Sequence, residues 1–320
     1  MTSEPVAADD GRPQHGIGYG LAAYTLWGGV VLFWPLVKES TALELLAQRV
    51  VWSLVISVVL LLTIVPRSAG ANGSWWSRVG HRRTLLMLGG AAAVVSLNWG
   101  TYIWAVNHGH VVETALGYYI NPILSILVGV IFLRERMRPA QWIAVGLAAL
   151  AVVVLTVEYG RLPWIAITLA CSFAIYGVIK NRVRGVGAVD TLTVESALLT
   201  PIALGYLIFL QATGGLTFGH LGLAHSALLA ASGLITVIPL LFFAAAASRL
   251  PLSTLGLLQY LAPTIQFLLG VLYFREDMST GRWVGFALVW LALMIMTIDG
   301  VRRARAVRRD RVATPEAVQV

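Results

Sequence analysis

Hydrophobic residues in this chain form long unbroken runs that are separated by short polar breaks. Each run approaches the ~20 residues that a helix needs to cross the hydrocarbon of a bilayer. The runs predict ten membrane spans, at residues 17–36, 44–65, 84–106, 113–133, 140–157, 162–179, 191–211, 225–247, 253–274 and 281–299.

These runs predict helices, because lipid offers no hydrogen-bond partner to the open backbone of a loop or a sheet edge. A β-barrel is not favoured, since its strands alternate apolar and polar residues over about ten positions. Composition agrees: the chain is 58% hydrophobic and 12% charged, with a mean hydropathy of +0.79. Such a chain has too few polar groups to cover a water-soluble globule. We therefore predict an all-α integral membrane protein.

One segment of the sequence recurs further along the chain. "INPILSILVGVIFLRERMRPAQW" aligns without a gap on "LAPTIQFLLGVLYFREDMSTGRW", which pairs Pro122 with Pro263 and Trp142 with Trp283. The first copy covers the fourth and fifth spans, and the second covers the ninth and tenth, so the repeating unit is five helices. Five is odd, so the second unit must enter the membrane from the opposite face. Inverted repeats of this kind support alternating access in carriers.

The repeat divides the sequence into four parts. We predict an N-terminal tail at 1–16, one five-helix repeat at 17–157, a second at 158–300, and a basic tail at 301–320. The polar start has no apolar core followed by a cleavage site, so we expect no cleaved signal peptide. Two alternatives stay open: a duplication kept only for packing, and a channel.

Positive charge is sorted by side of the predicted membrane. Eighteen Lys and Arg lie on the side of the N-terminus, four lie on the other side, and Arg49 lies within a span. The positive-inside rule then places both termini in the cytoplasm. We expect the basic tail to contact anionic lipid headgroups, and we expect no nucleic-acid partner, because no aromatic or helix-turn-helix context accompanies it.

Four segments carry a family resemblance: "LAQRVVWS", "LNWGTYIWAVNHGHVVETALGYYINP", "YINPILSILVGVIFLRERM" and "ASRLPLSTLGLLQYLAPTIQFLLGV". From about Gly16 to Asp299, the chain resembles the RarD proteins, the chloramphenicol-sensitivity branch of the EamA family within the drug/metabolite transporter superfamily. The resemblance implies a ten-helix carrier of the inner membrane. The sequence departs from the family in its long basic tail and in the linker "PRSAGANGSWWSRVGHRR".

Two prolines lie within predicted spans. Pro122 and Pro263 each lack the N–H that would bond the carbonyl four residues earlier, which frees the carbonyls of Tyr118 and Gln259. Freed carbonyls at membrane depth indicate a cavity lined by protein or water. The alternative is a packing kink that neighbouring helices satisfy.

Amides and aromatic rings surround these helix breaks, and they suit an amphipathic organic solute that stacks and hydrogen-bonds. The predicted binding residues are Asn98, Trp99, Tyr102, Tyr118, Tyr119, Asn121, Gln259 and Tyr260, with Asn107 and Gln266 nearby. The alternative for each amide is that it joins helices within lipid.

Charged side chains within or at the ends of spans are candidates for gating and coupling. Arg49 and Glu195 occupy equivalent helices of the two repeats and are expected at opposite ends of the membrane. Glu195 could carry a proton during transport. Arg49 either binds an anionic group or snorkels to the interface. Glu113 begins the fourth span, where a carboxylate favours a helix N-terminus.

No motif for enzyme chemistry is present. The sequence contains no H-E-x-x-H, G-x-S-x-G or phosphate-binding loop, so we predict neither catalysis nor a cofactor. His108 and His110 with Glu113 give too few ligands to predict a metal site. We expect a secondary transporter of the cytoplasmic membrane that moves a small organic metabolite or drug and uses an ion or solute gradient. A membrane sensor or assembly component is the alternative, and a homodimer stays open.

Overall fold

A computed structural model describes residues 12–63, 80–133, 137–183 and 186–313. These residues contain helices and no β-strand, which confirms the all-α prediction for the described part of the chain. The helices are α1 Arg12–Gly29, α2 Ala42–Thr63, α3 Arg82–Asn107, α4 Val111–Leu133, α5 Pro139–Tyr159, α6 Trp164–Arg182, α7 Ala188–Thr213, α8 Leu223–Ala247, α9 Leu252–Leu258, α10 Leu261–Leu268 and α11 Thr280–Ala313.

Seven segments of the described chain are long and apolar enough to cross a membrane. They are Ala42–Thr63, Arg82–Asn107, Pro139–Tyr159, Val189–Thr213, Leu223–Ala247, Thr254–Tyr273 and Thr280–Arg302. A shorter apolar helix covers Trp164–Lys180. Every predicted span coincides with helical structure, but seven of them meet these criteria, so the count of ten and the inverted arrangement stay predictions.

Two predicted boundaries differ from the structure. The first span does not continue to residue 36 as one helix, because α1 ends at Gly29 and two short 3₁₀ turns follow, Val30–Leu32 and Trp34–Val37. Pro35 lies in the second turn and has no N–H to extend an α-helical ladder. At the other end of the chain, α11 continues beyond the last span to Ala313, through part of the predicted basic tail. The Arg- and Ala-rich sequence there favours helix. Residues 1–11, 64–79, 134–136, 184–185 and 314–320, with the rest of both predicted tails and most of the linker, lie outside the described residues.

The chain divides into two compact units. The first contains Met1–Gly89 and Gly185–Ile265, and the second contains Gly90–Arg184 and Gln266–Val320. Each unit therefore draws helices from both predicted repeats. In each unit, two helices that are equivalent in the predicted repeats pack together: α2 with α7 in the first, and α5 with α11 in the second.

The first unit is built around α2, which packs against α7 and α8, while α1 packs against α8. Small residues allow close approach. A Cβ atom on Gly233 of α8 would lie 2.6 Å from the carbonyl carbon of Trp52 in α2. Ala47 and Val50 of α2 share a buried cluster with Ala203 of α7.

In the second unit, α4 packs against α6 and α5 packs against α11. Gly117 allows the first of these contacts, because a Cβ atom there would lie 2.9 Å from the carbonyl oxygen of Ala166. Gly285 allows the second, since its Cβ would lie 2.5 Å from Cγ of Leu155. The first of these contacts holds α4, which carries several predicted site residues.

Candidate functional site

The predicted site residues are divided between the two compact units. The second unit contains Asn98, Trp99, Tyr102, Glu113, Tyr118, Tyr119, Asn121 and Pro122, and the first contains Arg49, Glu195, Gln259, Tyr260 and Pro263.

Asn98 joins three helices of the second unit. The residue is 1% exposed. Nδ2 donates to the carbonyl oxygen of Leu169 and to the hydroxyl oxygen of Ser172, both on α6 and both at 2.9 Å. Oδ1 accepts a hydrogen bond from the hydroxyl of Tyr118 on α4 at 3.1 Å. Both amide donors bond to protein, which is the geometry of a residue that joins helices in lipid.

Two neighbouring tyrosines of α4 contact different aromatic groups. The ring of Tyr118 lies 5.8 Å from that of Tyr102 and 6.1 Å from that of Phe173. The ring of Tyr119 lies 6.4 Å from that of Phe286 on α11. Consecutive helical residues point about 100° apart, so the predicted aromatic set separates into a group around Asn98 and a group against α11.

Helix α4 is continuous at Pro122. It runs from Val111 to Leu133 as one element with the proline inside it. The helix therefore does not end at the position where the sequence predicts a break. Asn121 is buried and Trp99 of α3 is half-buried.

Glu113 holds the beginning of α6 rather than that of its own helix. Its side chain is 3% exposed and forms a salt bridge with Arg161, whose Nη2 lies 2.8 Å from Oε2. The backbone N–H of Ile165, in the first turn of α6, donates to Oε1 at 3.2 Å. Glu113 lies in the first turn of α4, as predicted, but the N–H it accepts comes from the neighbouring helix.

The beginning of α4 is capped by Glu276, a residue that the sequence analysis did not select. Oε2 accepts a hydrogen bond from the N–H of Val112 at 3.0 Å, and Oε1 accepts one from the N–H of Val111. Burial raises the pKa of Glu276 to about 7, although these N–H bonds act in the opposite direction. The recurring Arg-Glu pair of the repeat was a signal for this residue. Its counterpart, Glu135, lies outside the described residues.

Aromatic rings surround the two histidines near Glu113. Trp104 stacks on His108 with ring centroids 4.4 Å apart and on His110 at 5.9 Å. Burial lowers the pKa of His110. Among the described residues, no group of three His, Cys, Asp or Glu side chains could hold a metal ion. Stacking, rather than ligation, describes the histidine geometry.

The Thr254–Tyr273 segment is interrupted within its first half. Helix α9 ends at Leu258, α10 begins at Leu261, and Gln259 and Tyr260 form a turn between them. Pro263 has no N–H to offer the carbonyl of Gln259, as the sequence predicts. The N–H and hydroxyl of Thr264 both donate to the carbonyl of Tyr260, at 3.1 and 2.7 Å. A five-residue π-helical turn, Leu269–Tyr273, follows α10.

Arg49 and Glu195 are both buried in the first unit. Nε of Arg49 donates to the hydroxyl of Thr236 on α8 at 2.7 Å, and its guanidinium lies 5.6 Å from the ring centroid of Trp34. Ala47 and Val50, on either side of Arg49 in α2, share a buried cluster with Ala203 of α7. Glu195 lies eight residues before Ala203 on α7. At 1.5 Å per residue this separates the two charges along the helix pair by about 12 Å.

Comparison with known proteins shows the family. A sequence model described as the EamA-like transporter family matches residues 14–157, which include the first predicted repeat. The protein RarD of Streptomyces exfoliatus is 53% identical, over 92% of this chain and 91% of its own. An uncharacterized transporter of Vibrio cholerae serotype O1 is 39% identical, over 95% of this chain and 98% of its own.

A solved crystal structure supports the fold alone. It is 20% identical in sequence and covers 89% of this chain and 98% of its own, with a TM-score of 0.55. The RarD relationship and the membrane-length helices agree with one another. The chain belongs to the EamA-like transporter family as a RarD-type protein, and is a multi-pass membrane protein of a bacterial transporter family.

Proposed function

We propose that this protein is a secondary transporter that moves a small organic solute across the cytoplasmic membrane by alternating access. The interruption of the Thr254–Tyr273 segment at Gln259 and Tyr260 carries this proposal. Backbone groups that leave the helical ladder within a membrane-length segment are tolerated where they meet protein or line a cavity. Discontinuous helices of this kind form the binding sites of several transporter folds.

The side chains near the breaks favour a solute with both flat and polar parts. Gln259 and Tyr260 flank the interruption, so they are our first candidates for contact with the solute. Tyr102 and Tyr118 offer aromatic faces in the second unit. We assign Asn98 to the support of Tyr118, because both of its amide donors bond to protein.

Charged residues in the helices supply candidate gates. Glu195 is a buried carboxylate, and a carboxylate in that position can take up and release a proton during transport. Arg49 lies toward the other end of the α2–α7 pair, held by Thr236 and Trp34. The Glu113–Arg161 ion pair fixes α4 to the beginning of α6, which suits a contact that opens and closes with the transport cycle.

The sorting of Lys and Arg supports an orientation with both termini in the cytoplasm. In this orientation Arg161 and Glu276 belong to the external face. The basic residues of α11 beyond the last span then lie beside the anionic cytoplasmic leaflet, at about 1 kcal/mol of attraction per charge near the surface.

Counterflow in proteoliposomes tests the proposal. Purified protein is screened with labelled amino acids, aromatic metabolites and chloramphenicol, with and without an imposed pH gradient. Saturable accumulation of one compound is expected, and Glu195→Gln is expected to remove its pH dependence while the exposed-site control Glu39→Gln keeps it. Failure of folded protein to exchange any compound contradicts the proposal and favours a sensor or assembly role.

A further inference from the structure

A buried glutamate at the beginning of α2 contacts the loop that follows α7. Glu44 lies in the first turn of α2 and is 0% exposed. Its Oε1 accepts hydrogen bonds from the N–H of Thr217 at 2.9 Å, the N–H of Phe218 at 3.2 Å and the hydroxyl of Thr217 at 2.8 Å. Donors of this kind bond most strongly to an ionised carboxylate, and a helix N-terminus also favours negative charge. Glu44 therefore places a negative charge in the interior of the first unit.

The second oxygen of this carboxylate has no comparable support. Oε2 of Glu44 is buried and accepts no hydrogen bond from any residue that the structure describes. No Lys or Arg in the described part of the chain forms an ion pair with Glu44. A buried charge without a counter-charge is costly. A cation bound at this carboxylate would remove that cost.

Two hydroxyl groups lie beside the same carboxylate. Oγ of Ser40, which precedes α2 and is 3% exposed, lies 2.5 Å from Oγ1 of Thr217. A hydroxyl has one proton, and that of Thr217 is donated to Glu44, so Ser40 donates to Thr217. Nε2 of His225 then donates to Ser40 at 2.9 Å, which is nearer than the Thr217 oxygen at 3.2 Å. Each hydroxyl oxygen has two lone pairs, so one remains on Ser40 and one on Thr217.

We propose that the carboxylate of Glu44 and the hydroxyl oxygens of Ser40 and Thr217 form a binding site for one Na⁺ ion. Hard cations prefer oxygen ligands of these kinds. A single carboxylate balances one positive charge, which favours a monovalent ion over Mg²⁺ or Ca²⁺. The Thr217 oxygen lies 2.5 Å from that of Ser40 and 2.8 Å from Oε1 of Glu44. A small ion contacts such closely spaced oxygens at once more readily than the larger K⁺ does.

The site lies next to solvent at one end of the first unit. Thr217 is half-buried, and the residues that follow Phe218, Gly219 and His220, are exposed. In the orientation proposed above, the beginning of α2 and the loop after α7 face the external side. An external Na⁺ ion therefore reaches the site through this loop.

Binding of the ion favours one arrangement of the helices. Its ligands come from α2, from the segment before it and from the loop after α7, so the ion stabilises the state in which these segments are in contact. An inward Na⁺ gradient then supplies energy for movement of the solute. This coupling role rests on the proposed transport function, whereas Na⁺ binding does not.

Thermal unfolding of the purified protein without solute tests Na⁺ binding. Chlorides of Na⁺, K⁺ and N-methylglucamine are compared at equal ionic strength, because an ion that binds only the folded state raises Tm as its concentration exceeds Kd. Wild type is expected to show a saturable rise in Tm with Na⁺ alone. Glu44→Gln, which keeps the shape of the side chain and removes its charge, is expected to abolish the rise. Glu39→Gln is the matched control at an exposed carboxylate and is expected to keep it.

Variants of Thr217 separate the loss of a ligand from a general effect on stability. Thr217→Val deletes the hydroxyl at nearly constant volume and is expected to raise the half-saturating Na⁺ concentration about 10-fold or more. Thr217→Ser keeps the hydroxyl and is expected to respond as wild type does. This pair gives an independent answer if Glu44→Gln does not fold. The proposal is overturned if Glu44→Gln or Thr217→Val responds to Na⁺ as wild type does, if K⁺ acts equally, or if folded wild type does not respond.

Transport measurements separate this inference from the proposed function. With a solute that wild type exchanges, Thr217→Val is expected to lose accumulation driven by a Na⁺ gradient that half-saturates wild type. It is expected to keep counterflow at equal and saturating Na⁺, whereas Thr217→Ser keeps both. If Na⁺ raises Tm as expected and no solute is exchanged, the Na⁺ site stands and the transporter proposal fails. If solute is exchanged and Glu44→Gln responds to Na⁺ as wild type does, the Na⁺ site is wrong and the transporter proposal stands.

Discussion

Oε2 of Glu276 accepts a hydrogen bond from the backbone N–H of Val112 at 3.0 Å, so a loop near the end of the chain caps the helix that carries Tyr118 and Asn121. The first N–H groups of a helix have no partner within the helix. Gly270 packs directly on Val112, where an added Cβ would lie 2.7 Å from Cγ2. The loop and the helix end therefore form one packed contact.

Loss of this cap is expected to destabilise the protein. Glu276→Ala removes the acceptor of two N–H groups and should lower the free energy of unfolding by about 1–2 kcal/mol. Denaturant unfolding in detergent measures the change. Asp277→Ala is the matched control, because Asp277 is the adjacent carboxylate and is exposed. Equal stability of the two variants would contradict the capping role.

The raised pKa of Glu276 predicts a pH dependence of stability. The pKa rises from 4.5 to about 7 on folding, so the folded state binds the proton more tightly than the unfolded state. The part of the Glu276 contribution that comes from proton binding is thus fully present below pH 4.5 and is lost as pH rises through about 7, whereas the two N–H bonds of the cap remain. His110, whose pKa is lowered, acts in the opposite direction. The difference between wild type and Glu276→Gln across this range isolates the Glu276 contribution, and a difference independent of pH would contradict it.

The sequence predicted the helices because a segment within the membrane must pair its backbone N–H and C=O groups internally. The helix bounds differ from the predicted spans at Pro35, where 3₁₀ turns follow α1, and in α11, which continues into the basic tail. The interruption between Leu258 and Leu261 includes Gln259, whose carbonyl receives no N–H from Pro263. Pro122 likewise offers no N–H to the carbonyl of Tyr118, but α4 runs through it as one continuous helix.

Contacts between distant residues could not be predicted from the sequence. Asn98 was selected by residue type, but its three partners lie on other helices. Glu276 and Val112 are 164 positions apart, and no local pattern links them. Residue chemistry therefore identified polar groups in the helices, and only the fold showed which of them serve helix contacts.

The Glu113–Arg161 pair is expected to be asymmetric. Arg161→Ala leaves a buried carboxylate without its partner, and we expect it to cost about 1–3 kcal/mol, reduced by the partial exposure of the arginine. Glu113→Gln should cost less, because an amide can still accept from Ile165. The double variant should lose less unfolding free energy than the sum of the losses in the two single variants. Thermal unfolding measures the stability of each variant. Arg282→Ala is the control, because the guanidinium of Arg282, like that of Arg161, lies over the ring of Tyr159, 4.8 Å from the ring centroid. If the losses of the two single variants add up to the loss of the double variant, the Glu113–Arg161 ion pair contributes nothing to stability.

Close packing of α8 on α2 predicts the effect of a single methyl group. Gly233→Ala places a Cβ 2.6 Å from the Trp52 carbonyl carbon. Since backbone cannot move aside cheaply, we expect a loss of about 1–3 kcal/mol. Gly205→Ala is the control, because nothing lies within 4 Å of its Cβ position. That variant should be neutral or stabilising, as alanine favours helix. A Gly233→Ala protein as stable as Gly205→Ala would show that the two helices separate readily.

Asn98 offers a direct test of whether a buried amide joins helices or binds solute. Asn98→Ala removes both donors and the acceptor of Tyr118, and should lower the free energy of unfolding by about 1–3 kcal/mol. Ser96→Ala, on the same helix, deletes a hydroxyl that bonds only the carbonyl of Ala92 among the described residues, at 2.8 Å, and should cost little. Because the Asn98 donors bond to protein and its oxygen supports Tyr118, solute exchange per folded molecule is expected to fall in part but not to be lost. Loss of exchange in an Asn98→Ala protein that remains folded would instead assign this amide to the solute site.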